Sequence, residues 1–259
     1  MPGSVSTLSI APVKGLGLSH PDEVQVMSYG VVGDRRYAMV DQRGRLANGK
    51  DLGPMVRVAT SWSDDPESLV LHLPGGAAVG GPVTLGEHVE AVFYGSPRTG
   101  RLVLGPYADA LSELAGEPLR LLRMPDGTGI DRPDEGAVSL QSTAALAAMA
   151  RAADLDVPVD GRRFRMTFTL DGVEAHAEDG WVGRRVRVGG AVVVPEGNIG
   201  RCRVTTYDPD TGVKSFDTLK LIASTRGHLP STEPLPFGVH ARVVAPGLVR
   251  VGDAVLLED

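Results

Sequence analysis

Cysteine is almost absent from this chain: its 259 residues contain one, Cys202. A single thiol excludes an intrachain disulfide, a four-cysteine zinc site and an iron–sulfur cluster held by this chain alone. Any electron donor for redox chemistry must therefore come from outside. Positive charge is also short. The net charge is -6, so no global basic field draws the protein to nucleic acid or anionic lipid. No apolar run reaches membrane-spanning length, and Met1-Pro2-Gly3-Ser4 lacks the basic flank and apolar run of a signal peptide. The expectation is a cytoplasmic protein that neither spans a membrane nor binds nucleic acid.

The usual catalytic signatures are missing too. None of the six histidines (20, 72, 88, 176, 228, 240) pairs with another at helical i,i+4 spacing, and there is no HExxH, so a zinc hydrolase lacks its ligands. Gly15-Leu16-Gly17 is followed at the third position by His20, which breaks the dinucleotide fingerprint. A Walker A lysine loop and a Gly-x-Ser-x-Gly elbow are likewise absent.

What is present is glycine (33), proline (19) and a 42% hydrophobic share with only 5% aromatics. That composition suits many short strands joined by tight turns around a sizeable core. Alternating runs predict strands at Val5 to Ile10, Arg36 to Val40 and Ser68 to Leu73, and later at Phe164 to Leu170, Val186 to Val194, Cys202 to Tyr207, Phe237 to Val244 and Leu248 to Leu257. Two Ala/Leu-rich segments with helical spacing, Tyr107 to Ala115 and Ser142 to Ala153, are read as the only substantial helices, with Ser142 or Thr143 as a cap. The fold class is mainly β with a few helices (α+β), in a barrel or sandwich. A boundary is drawn near residue 118, giving parts 1–118 and 119–259.

Charge is uneven. Between Arg162 and Arg203 eight arginines face five acids, so that stretch carries +3 and the remainder -9. A local anion site fits there, although solvated strand faces would give the same count. Within this stretch Cys202 stands out. A lone strand cysteine is more often a small buried hydrophobe than a ligand, but Arg201 and Arg203 flank this one, and cationic neighbours favour the thiolate that metals bind.

The run Arg201-Cys202-Arg203-Val204-Thr205-Thr206-Tyr207-Asp208-Pro209-Asp210-Thr211-Gly212 resembles the signature of the MOSC family, the domain found at the C-terminus of molybdenum cofactor sulfurases. Leu8-Ser9-Ile10-Ala11-Pro12-Val13-Lys14-Gly15 and Gly33-Asp34-Arg35-Arg36-Tyr37 resemble the N-terminal barrel that accompanies it. Ser139 to Leu146, Ala177 to Arg184 and Val251 to Val255 also match, so the resemblance spans nearly the whole chain. It implies a MOSC-type β-barrel plus an N-terminal β-barrel-like domain. It further implies an oxidoreductase that binds the molybdenum cofactor (Mo-molybdopterin) and reduces N-hydroxylated small molecules. The electrons would come from an external iron–sulfur or flavin carrier.

By position in the family pattern, Cys202 is the metal ligand and catalytic residue. Lys14 and Arg35 match phosphate or pterin contacts, and Arg165 matches the arginine of a Phe-Arg-Pro-Asn segment. Thr167 replaces the asparagine of that segment with a hydroxyl, and Arg201, Ser142 and Thr143 are lesser cofactor contacts. The chain also departs from the family at Gly15, Met166 and the Gly197-Asn198-Ile199-Gly200 loop. Two other readings remain open on these residues: a sulfur or cofactor carrier, and a barrel that has lost the cofactor and acts as a binding protein.

Overall fold

The structure is a computed structural model that describes residues 3–47, 52–127, 137–231 and 233–258. Its centre is a closed barrel in the order β1 (Gly3–Leu8), β13 (Phe168–Asp171), β12 (Val138–Ser142), β16 (Pro236–Ala245), β15 (Ala191–Gly200), β14 (Val186–Val188) and β18 (Ala254–Leu257). A five-stranded sheet follows the order β2 (Val13–Lys14), β5 (Tyr37–Asp41), β11 (Leu119–Arg123), β10 (Ser96–Leu104) and β9 (Thr84–Phe93). Two three-stranded sheets complete the β-structure: β17 (Gly247–Arg250), β3 (Glu23–Met27) and β4 (Gly30–Val31), and β6 (Ala59–Asp64), β7 (Glu67–His72) and β8 (Ala78–Pro82). The described residues form three α-helices, α1 (Tyr107–Ala115), α2 (Thr143–Ala152) and α3 (Thr218–Arg226).

The mainly β class with a few helices holds, and its physical basis is visible in the cores. Val5, Leu8, Leu140, Phe168, Leu170, Val186, Val193 and Val239 fill the barrel, where period-two alternation puts every second residue inside. In β5 both faces are buried: Tyr37 and Met39 join one core while Ala38 and Val40 join another. Sheet membership does not follow chain order. β1 pairs with β13, Ser4 opposite Asp171, and with β18, so the first strand of the chain helps to close the barrel built by the second half.

The two expected helices form where their patterns place them. Tyr107 and Leu111 are buried, and Gly116 ends α1 with φ of 71°, a conformation in which glycine meets no Cβ penalty. Ser142 is the cap of α2, its hydroxyl accepting from the Ala145 N–H at 3.3 Å.

Several other expectations are corrected. A third helix, α3, exists; its buried positions are Thr218, Ile222 and Arg226, so two of its three inward residues are polar and no apolar stripe marks it. Cys202 to Tyr207 is not a strand: Arg203–Thr206 is a 3-10 turn. The threonine hydroxyls there bond backward, Thr205 Oγ1 to the Cys202 carbonyl at 3.1 Å and Thr206 Oγ1 to the Arg203 carbonyl at 2.7 Å, a local competition that defeats β propensity. Phe164 to Leu170 is strand only from Phe168, because Gly161–Phe164 is a 3-10 turn and Arg165 is left-handed with φ of 56°. The runs Val186 to Val194 and Leu248 to Leu257 each fold into two strands, broken at Gly189 and Gly252, both at positive φ.

Candidate active site

Two arginines on one short turn and a third at its C-terminal cap build the centre of the site. Asp160 caps the Gly161–Phe164 turn by accepting from the Arg162 N–H at 2.9 Å, and the tight winding sends successive side chains in different directions. Arg162 grips Asp210 through two bonds of 2.7 and 2.8 Å and also holds Asp160. These bonds raise the Arg162 pKa and hold the Asp210 carboxyl below its ordinary value. Arg163 is 9% exposed and donates to the Tyr207 carbonyl at 2.7 Å and Ser215 Oγ at 2.8 Å, with Asp208 at 3.4 Å. Burial lowers its pKa. Arg165 reaches the other way, donating to the Leu16 carbonyl at 2.7 Å.

Arg162 and Arg163 thereby fix the segment that follows Cys202. Asp208 Oδ1 accepts from Asp210 N at 3.1 Å, Thr211 N at 2.9 Å and Thr211 Oγ1 at 3.0 Å, the geometry of a side-chain-capped turn. The Thr211 backbone bond leads the influences that lower the Asp208 pKa. At Gly212 a Cβ would fall 2.9 Å from Pro54 Cα, so glycine lets this turn dock on the Gly53–Arg57 turn of the N-terminal half. Between the docked segments lies a cleft of about 210 Å³. One wall comes from Gly17, Leu18 and His20, a second from Val56, Arg57 and Ala59. Arg162, Arg163 and Arg165, with Val204, Tyr207, Pro209 and Asp210, form the rest.

The structure brings some of the expected residues together and separates others. Cys202 is exposed at the cap position of the turn that carries Val204 to the cleft wall, but it does not itself line the cleft. Arg165 does line it, and the Arg35 guanidinium donates to the Arg165 carbonyl at 3.4 Å while pairing with Asp34. The Lys14 ammonium lies 5.4 Å from the Tyr94 ring centroid. Arg201 turns inward and donates to the Phe164 carbonyl at 2.9 Å and the Phe237 carbonyl at 2.8 Å, with its guanidinium over the Phe164 ring. Thr167 is buried, its Oγ1 accepting from the Ser139 N–H at 3.1 Å.

Ser142 is fully buried, and Thr143 donates to Asp171 at 2.8 Å. Because β12 and β13 run parallel, these two lie farther along the barrel from the Ser139–Thr167 pair by about 10 Å, at ~3.3 Å per residue. Sequence reasoning did not single out His20, Arg57, Arg163 or Tyr207. The double arginine beside a capping aspartate was the available signal for Arg163. For the rest no local signal exists, since the walls come from distant segments.

Two family models match: the MOSC domain over residues 127–256 and the MOSC N-terminal beta barrel domain over residues 2–95. The chain belongs to the MOSC family. This MOSC chain is 27% identical to human mitochondrial amidoxime-reducing component 1 over 98% of its own length and 83% of that protein. It is 24% identical to the bovine mitochondrial amidoxime reducing component 2, over 98% and 82%. Among solved structures it is similar to the YuaD protein of Bacillus subtilis, with a TM-score of 0.45 at 12% identity over 98% of this chain and 94% of that one. It is also similar to YiiM of Geobacillus stearothermophilus, with a TM-score of 0.37 at 15% identity over 68% and 73%. No described helix is long and apolar enough to cross a membrane.

Proposed function

We propose that this chain is a molybdenum-cofactor-dependent oxidoreductase that reduces N-hydroxylated small molecules with electrons from a separate iron–sulfur or flavin carrier, in the cytoplasm. The observation that carries this reading is an exposed thiol at the head of a turn whose next residues line an arginine-walled cleft. Relatives named for amidoxime reduction support the substrate class.

The donor set suits the cofactor. Among the described residues no three His, Cys, Asp or Glu side chains form a metal-holding cluster, and a soft thiolate acting alone suits a metal whose other donors belong to a dithiolene. Lys14, Arg35 and Arg165 are cations suited to its phosphate and pterin. When bound, the cofactor would supply the two-electron redox chemistry.

The chain's own residues then have separate tasks. Cys202 would hold the metal. Arg201 is a positioning residue: by donating to the carbonyls of Phe164 and Phe237 it anchors the residue just before the thiol to the turn and strand beside it. Arg162 and Arg163 hold the cleft wall, and the cleft orients the substrate. Overall the substrate N–O bond breaks, two electrons and two protons enter, and the deoxygenated nitrogen compound leaves with water. The parts 1–118 and 119–259 act around one cleft, since Gly17, His20 and Arg57 come from the first and Arg165 and Tyr207 from the second.

The test is molybdenum quantification on the purified protein together with an amidoxime reduction assay using an artificial electron donor. About one molybdenum per chain and turnover of the N-hydroxy substrate are expected. A molybdenum-free protein carrying persulfide on Cys202 would make it a sulfur carrier, and one with neither would make it a binding protein.

A further inference from the structure

The cleft is lined by four arginines, at 57, 162, 163 and 165, against one carboxylate, Asp210. Their charges are not equally available. Arg162 is committed to Asp160 and Asp210, and Arg163 to Asp208, Ser215 and the Tyr207 carbonyl. Arg57 is different. It is exposed, it makes no ion pair with any described carboxylate, and it sits at the end of the Gly53–Arg57 turn on the outer wall. A Cβ built on Gly212 would lie 3.2 Å from Arg57 Cδ, so the docked turn packs against the arginine stem and steadies it. His20 stands on the neighbouring wall, its Nδ1 tied to Ser9 Oγ at 3.1 Å and the Leu8 carbonyl at 3.2 Å.

We propose that Arg57 makes the outer wall of the cleft an anion subsite, so that the preferred substrates are N-hydroxylated molecules bearing a carboxylate. The proposal rests on the reductase reading above. The remaining lining gives the shape of the molecule: Leu18, Val56, Ala59, Val204 and Pro209 offer apolar contact, which suits a hydrocarbon or aryl body between the N-hydroxy group and the anionic end. The volume, about 210 Å³, is below the roughly 300–1,000 Å³ of pockets for drug-sized ligands, so the body is small. A phosphate of the cofactor would satisfy the same guanidinium. The substrate is favoured because Cys202, Lys14 and Arg35 do not line this cleft, and Arg165, the one cofactor candidate that does, is turned to the Leu16 carbonyl, whereas the exposed Arg57 forms the cleft wall.

The experiment compares N-hydroxybenzamidine with its para-carboxylate analogue on the molybdenum-loaded full-length protein, in wild type, Arg57→Ala and Arg57→Lys. Wild type should show a KM for the carboxylate analogue lower by about tenfold, and added salt should narrow the gap. In Arg57→Ala the ratio of the two KM values should fall about tenfold toward unity, with Arg57→Lys in between. Molybdenum content should stay level across the three proteins. Equal KM values in wild type would overturn the subsite, and loss of molybdenum from Arg57→Ala would reassign Arg57 to the cofactor phosphate and overturn it equally. Calorimetric titration with the para-carboxylate analogue separates this proposal from the reductase reading. Binding that weakens in Arg57→Ala without any turnover would support the subsite and sink the reductase, while turnover with no carboxylate preference would do the reverse.

Discussion

Arg162 and Arg163 are adjacent in sequence, yet burial makes them unequal. Arg163 is nearly enclosed and serves two carbonyls, a hydroxyl and Asp208; removing it leaves all of those acceptors without their shared donor. Arg163→Ala should therefore lower stability by about 3 kcal/mol, in the range for breaking a buried charged network. Arg162 is half-exposed and its partner Asp210 is open to water, so Arg162→Ala should cost only about 1 kcal/mol after screening. Thermal or urea unfolding of the two variants checks the order, and equal losses would contradict it. Cys202 behaves differently again. Because the thiol is exposed, Cys202→Ser should leave stability within roughly 0.5 kcal/mol of wild type. Reductase activity should fall by on the order of a hundredfold or more as the soft donor is lost. Full activity in the serine variant would remove the ligand assignment. At this scale the sequence was legible where chemistry is local: Cys202 between two arginines and the Asp208 turn announce themselves. Arg57 and His20 do not, because their importance comes only from what folds against them.

Among the elements, legibility followed the visibility of the burial pattern. α1 shows its buried residues at helical spacing and its Gly116 stop, whereas α3 hides behind Thr218 and Arg226, polar residues that point inward. The segment after Cys202 misled for a related reason: threonine favours strands on average, but here each hydroxyl found a carbonyl three residues back. The 3-10 turn Ala177–Trp181 adds a pH-dependent feature. Burial lifts the Glu178 carboxyl to about 7, against the pull of its own backbone amide and of Ser142. Burial also depresses His176 to about 4, assisted by Arg226. A carboxyl with a raised folded pKa contributes stability below its ordinary 4.5 that is lost as pH rises through about 7. A histidine with a depressed folded pKa contributes stability above its ordinary 6.5 that is lost as pH falls through about 4. The two slopes oppose over the same window, so wild-type stability should change little between them. Glu178→Gln should unmask the histidine, with stability climbing from about pH 4 to 6.5. It should also remove a penalty of up to about 3 kcal/mol above pH 7. Melting temperature against pH for both proteins decides the matter; parallel curves would refute the opposition.

For the whole molecule, the decisive contacts are the ones most distant in sequence. A boundary near residue 118 follows from local composition, and local composition cannot register that β1 leaves its neighbours to pair with β13, Val5 opposite Leu170. Nor does it register that Val24, Val26 and Val31 pack into the barrel core, or that β11 joins β5 and β10. A fragment beginning at residue 119 would thus lose the strand that closes the barrel between β13 and β18. It would expose two sheet edges, which invite association with other chains, and would uncover apolar side chains of the core. It would also lack Lys14 and Arg35, and, with Gly17, His20 and Arg57, one side of the cleft. Such a fragment should be insoluble or free of cofactor, as judged by size-exclusion chromatography and molybdenum content. Supplying residues 1–118 as a separate polypeptide during refolding should restore some soluble, closed barrel, because β1 can then pair in trans. A stable, molybdenum-loaded 119–259 fragment would show that neither β1 nor the N-terminal wall is needed, and would reject a site shared between the two parts.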